Sequence, residues 1–101
     1  MRKAARFTAV ALSTAAIALG SVTVAHAGDY KEDGTRIRSN STTSSTVLGL
    51  GYRSHTITPI CYKSGTVING NQWWDRHRNN NTSVTGYTSM TLLTKWATKP
   101  C

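Results

Sequence analysis

Carboxylates are scarce in this sequence, with four Asp and Glu against twelve Lys and Arg. Asp29, Glu32 and Asp33 crowd into one short stretch, which leaves Asp75 alone in the rest of the chain. The paired acids of general acid–base catalysis are therefore missing from the body of the protein. Past residue 27 the histidines are His55 and His77, too few to supply a nucleophile, a base and an orienting group. Cysteine is equally sparse. Cys61 and Cys101 have no nearby His or Cys at metal-ligand spacing, and no Gly-rich phosphate loop or dinucleotide fingerprint is present. No catalytic residue, metal or cofactor is expected. Asp75 and His77 lie two apart on one strand and are read as a solvated strand face.

Long hydrophobic runs are absent except at the start. Arg2, Lys3 and Arg6 precede an apolar run from Phe7 to Leu19, and Ala25-His26-Ala27 follows. That order is the pattern of a secretory signal peptide cleaved after Ala27. Thr8, Ser13 and Thr14 interrupt the run, which falls short of the roughly 20 residues needed to span a bilayer. The expected product is secreted, extracellular or cell-wall associated, with no membrane insertion after cleavage.

Residues 28–101 make one small domain with a modest core, so an additional staple is expected. Two cysteines in a secreted chain read as a Cys61–Cys101 disulfide. Loss of Arg2, Lys3 and Arg6 lowers the formal charge from +8 to +5. A basic surface attracts anionic polymers, headgroups or nucleic acid, or simply keeps a secreted protein soluble. Export argues against nucleic acid.

No helical apolar period runs through residues 35–101. Short segments rich in Val, Ile, Thr, Tyr and Trp alternate with Gly, Asn and Ser, the signature of a small all-β domain. The expected strands are Thr35 to Arg38, Thr56 to Tyr62, Gln72 to Arg78, Val84 to Thr88 and Leu93 to Ala97. Gly28 to Gly34, charged and poor in apolar residues, is expected as a flexible N-terminal arm. Asn40 to Ser45 should be an exposed loop, because Asn, Ser and Thr side chains compete for backbone hydrogen bonds. Asn69-Gly70 and Asn79 to Asn81 supply residues that tolerate positive φ at two hairpin tips. Pro59 cannot donate to a ladder, which places its strand at an edge or a bulge.

Ile37 to Gly49 ("IRSNSTTSSTVLG"), Ser54 to Cys61, Trp73 to Arg76 and Gly86 to Leu93 ("GYTSMTLL") occur in an order that resembles the bacterial SH3 domain family. The resemblance covers Thr35 to Leu93 and implies a small SH3-like β-barrel of about five strands, with the tail to Cys101 tied on by the disulfide. Ser89 and Leu92 stand where eukaryotic SH3 domains carry the Pro and Tyr of their polyproline groove, which argues against proline-rich ligands. By the same resemblance Trp74 is the structural tryptophan. Trp73, on the opposite strand face, is then a ligand contact or packs under a loop or the C-terminal tail.

The expected function is a secreted, non-enzymatic binding module that recognises a cell-wall component or an extracellular protein or peptide, as a monomer. Its contacts would be Tyr52, Trp73 and Tyr87, with Arg53 and Arg76 for anionic groups. Tyr52 and Tyr87 could equally cap the barrel. The alternative is a soluble cationic effector, membrane-active or inhibitor-like.

Overall fold

The computed structural model describes residues 28–101. The expected leader, residues 1–27, lies outside them. The described chain is all-β, with β1 Thr35–Arg38, β2 Val47–Gly51, β3 Ile57–Ile68, β4 Asn71–Asn79 and β5 Thr85–Ser89, followed by a 3-10 turn at Met90–Leu92. The five strands form one antiparallel sheet in the order β2-β1-β5-β4-β3. In place of the expected closed barrel the sheet is open, ending at β2 and β3.

One expected strand is absent and one unexpected strand takes its place. Leu93 to Ala97 is not a strand: Leu93 makes a single bridge to Tyr30, and the chain beyond it is irregular. The fifth strand is instead Val47–Gly51, whose two glycines lower its apparent β-propensity. Gly51 has a packing reason, since a Cβ there would collide with the Tyr30 ring.

The β3–β4 hairpin is longer than expected. Its tip is Asn69-Gly70, both at positive φ (52° and 77°), as a tight two-residue turn requires. Between β4 and β5 the positive φ falls on Ser83, not on an asparagine. There the Asn79 side-chain oxygen accepts from the N–H groups of Asn81 and Thr82 and shapes the loop. Pro59 sits on the edge strand β3 next to a register shift, as expected for a residue with no N–H.

The N-terminal segment is not a flexible arm. Tyr30 is 2% exposed and packs with Ile37, Ile57 and Leu93 in the core. Backbone bonds fix it on both sides, from Lys31 N–H to the Leu92 carbonyl and from Thr94 N–H to the Asp29 carbonyl. Asp29 also accepts the Ile57 N–H through its carboxylate. Asn40 to Ser45 is irregular, but Ser41 is buried: its hydroxyl donates to the Ser64 carbonyl, and its own carbonyl accepts from Thr66 N–H.

The core is small. Burying a side chain such as Ile or Leu contributes about 1.5 to 3 kcal/mol, so four such residues need reinforcement. The Cys61–Cys101 disulfide supplies it, and the tail pairs with β3 through Tyr62 N–H to the Lys99 carbonyl and Cys101 N–H to the Tyr62 carbonyl. A disulfide is compatible with an oxidising, extracellular compartment.

Candidate functional site

Strand alternation decides what each face of β4 carries. Asp75, His77 and Asn79 are all inaccessible to solvent and lie on the core side. The expectation that Asp75 and His77 form a solvated face is therefore overturned. Burial is tolerated because nearly every polar atom has a partner. The Tyr30 hydroxyl is 2.8 Å from His77 Nε2, His77 Nδ1 is 3.2 Å from the Asp75 backbone carbonyl, and Ala97 N–H donates to Asp75 Oδ1 at 2.7 Å. Asp75 Oδ2 alone has no partner.

These environments shift both groups. Burial raises the Asp75 carboxyl to about 6, against the bond from Ala97 N–H that opposes the shift. Burial lowers the His77 imidazole, so that it stays neutral near pH 7. His77 meets the backbone of Asp75, not its carboxylate, so the two do not form an acid–base dyad.

The two tryptophans separate as expected in exposure, at 3% for Trp74 and 40% for Trp73, although the faces are reversed. Trp73 shares the core side with Asp75, beyond the end of the closed core. Trp74 lies on the outer side, opposite Ser89 and Lys63. It is buried there because the bulge between Ser64 and Ile68 brings Thr66 back over it, and its indole N–H donates to the Thr66 carbonyl at 2.7 Å. A cleft of about 190 Å³ beside Trp74 is bordered by Arg36, Arg38 and Glu32.

Along the outer face the register places Arg76 opposite Tyr87, and Tyr87 opposite Arg38. Arg36 and Arg78 share this face by the two-residue period. Lys63 completes it, with its ammonium 4.8 Å from the Tyr87 ring centroid. Arg38 donates to the Ser45 carbonyl, and Arg78 to Asn80 and Ser83. Arg36 and Arg76 are exposed and have no ion pair among the described residues. Three of the four carboxylates lie elsewhere: Asp29 pairs with Lys95, Asp33 accepts the Arg53 N–H, and Asp75 is buried on the other side, while Glu32 lines the cleft with Arg36 and Arg38.

The five residues read from the sequence as contacts therefore fall in three places. Arg76 and Tyr87 are cross-strand partners at the centre of the outer face. Tyr52 and Arg53 follow β2, where the Tyr52 ring meets His55 edge-on at 5.3 Å. Trp73 meets Tyr62 edge-on at 5.4 Å and lines a groove of about 450 Å³ with Met90 and the Trp96 to Thr98 tail. The sequence reading missed Arg36, Arg38, Lys63 and Arg78. Its available signal was the arginine at alternate positions in both β1 and β4. Tyr62 and Trp96 were missed because the groove exists only once the tail is folded back.

Among the described residues no group of three or more His, Cys, Asp or Glu is placed to hold a metal ion. No helix among them is long and apolar enough to cross a membrane. No protein-family model matches the chain, and no curated protein matches it.

Proposed function

We propose that this chain is an exported, non-enzymatic recognition module of SH3-like type, whose outer sheet face holds an anionic cell-wall component. The observation that carries the reading is the set Arg36, Arg38, Lys63, Arg76 and Arg78 around Tyr87, on strands that bring no carboxylate to that face. The five-stranded antiparallel sheet and the 3-10 turn after its last strand support the SH3-like assignment, with a sheet more open than a closed barrel. A single exposed cation contributes at most about 1 kcal/mol to an ion pair in water. Recognition therefore needs several at once, and salt weakens it. Tyr87 adds a flat ring that polarisable or sugar-like groups can cover.

Sedimentation with purified cell walls tests the proposal. The protein should pellet with walls at low salt and return to the supernatant as salt is raised. The double variant Arg36→Glu, Arg76→Glu should bind at least tenfold more weakly with an unchanged melting temperature, since both side chains are exposed. Protein left in the supernatant at low salt refutes the reading. Leakage of anionic liposomes at the same protein concentration would favour the cationic effector instead.

A further inference from the structure

The cleft beside Trp74 is where opposite charges meet at the outer face. Arg36 and Arg38 border it from β1, and Glu32 borders it from the turn before β1. Gly34 takes a positive φ of 75° in that turn, which a residue with a Cβ adopts only at a cost. Bonds on both sides of the glycine hold the turn: the Thr35 hydroxyl donates to the Glu32 carbonyl, and the Arg53 N–H donates to the Asp33 carboxylate. Glu32 therefore belongs to a fixed segment. Its carboxylate nevertheless makes no ion pair with either arginine, so it stays outside the roughly 4 Å that limits one. The rest of the lining is largely apolar, from Trp74, Ile68 and Leu92, and the Trp74 ring is held by its indole bond to the Thr66 carbonyl.

A carboxylate beside a site for a plain anion weakens that site by like-charge repulsion. A ligand that carries both signs makes use of all three groups. Two guanidiniums exceed what one small carboxylate accepts and match the several oxygens of a phosphate. Arg38 keeps its orientation through the bond to the Ser45 carbonyl and has further N–H groups to offer.

We propose that this cleft takes a phosphate group joined by a short alkyl link to a primary ammonium. Arg36 and Arg38 hold the phosphate, Glu32 holds the ammonium, and the link lies against Trp74. The inference rests on the reading of the outer face given above and names the chemical class of its ligand, a wall polymer whose phosphate groups carry amines. Lys63, Arg76 and Arg78 then add attraction along the polymer, and the cleft supplies the selection.

The probe is 2-aminoethyl phosphate, titrated into the intact disulfide-bonded protein at low salt and near neutral pH. Propyl phosphate, of the same size with a methyl group in place of the ammonium, is the control. NMR should show saturable shifts at the amides of Gly34, Arg36 and Arg38 and at the Trp74 indole N–H. The aminoethyl compound should bind about fivefold more tightly than the control, as one exposed ion pair supplies at most. That comparison uses wild-type protein alone and is independent of any variant's folding. Glu32→Gln should abolish the preference, leaving the two phosphates equal.

Equal affinity in the wild type would overturn the proposal, as would shifts centred on Arg76 and Tyr87 or a preference that survives Glu32→Gln. Walls that pellet the protein while the two phosphates bind equally would overturn this inference and leave the wall reading intact. A clear preference for the aminoethyl compound with no binding to walls would do the reverse. Vesicles of phosphatidylethanolamine carry the same group, and pelleting with them but not with walls would overturn the wall as its source.

Discussion

Replacing Asp75 by asparagine keeps a carbonyl oxygen to accept the Ala97 N–H, now 2.7 Å from Oδ1, and removes the buried charge. In the wild type, burial raises this carboxyl from 3.8 to about 6. A carboxyl raised on folding takes up a proton as the chain folds between those two pH values. Its contribution therefore favours the folded state at the acid end and falls as the pH rises through the window, by at most about 3 kcal/mol. His77 has the opposite sign. Its imidazole is held below 6.5, so the stability it contributes is present above that pH and is lost as the pH falls.

The two linkages offset each other in the wild type, and the variant separates them. Urea unfolding followed by tryptophan fluorescence, at pH values from 4 to 8, gives the stability of variant and wild type on one scale. The variant should gain on the wild type steadily as the pH rises from 4 to 6, by about 1 to 3 kcal/mol, and then run parallel to it. The unpaired amide N–H groups lower both ends of that comparison equally, by about 1 to 3 kcal/mol. A difference that stays flat across the window, or falls with pH, would refute the reasoning about Asp75.

Three other outcomes follow from the packing. Cys101→Ser opens a loop of 40 residues and should lose about 4 kcal/mol, measured by urea unfolding, and peptide mapping under non-reducing conditions should find Cys61 joined to Cys101 in the native protein. Trp74→Ala removes a buried ring and its bond to Thr66, costing roughly 3 to 5 kcal/mol, whereas Trp73→Ala removes a ring already 40% exposed and should cost clearly less; equal losses in thermal melts would contradict this difference in burial. Gly51→Val forces the Tyr30 ring out of the core and should destabilise by about 1 to 3 kcal/mol in the same assay, while an unchanged melting temperature would show that Tyr30 yields freely.

The fold class was legible because strand composition and turn residues are local signals. β1, β3, β4 and β5 fall where Ile, Thr, Trp and Tyr segments meet asparagine and glycine. The disulfide was legible from cysteine count alone. What escaped depended on contacts distant in sequence. Val47–Gly51 does not stand out as a strand until Gly51 is seen to make room for Tyr30, a residue 21 positions earlier. Leu93 reads as a strand start because its neighbours are apolar, yet its partner is Tyr30 rather than another strand. Asp75 and His77 look solvated because no local pattern announces that Ala97 and Tyr30 will satisfy them. In the candidate site, Arg76 and Tyr87 were identified one at a time, and only the register revealed them as neighbours.

The core draws on Tyr30, Ile37, Ile57 and Leu93, which are spread over almost the whole described chain. The Tyr30 to Leu93 bridge and the flanking backbone bonds close a loop of more than 60 residues, so no subset of neighbouring strands holds a finished hydrophobic nucleus. Such a topology loses chain entropy long before its contacts compensate for it, and it places folding among the slower β-rich domains, in milliseconds to seconds. Partial folding is poorly rewarded: a chain interrupted before Leu93 lacks the partner of Tyr30, and one lacking Tyr30 leaves His77 Nε2 buried without its hydroxyl. Cooperativity here is thus a matter of where four residues lie along the chain.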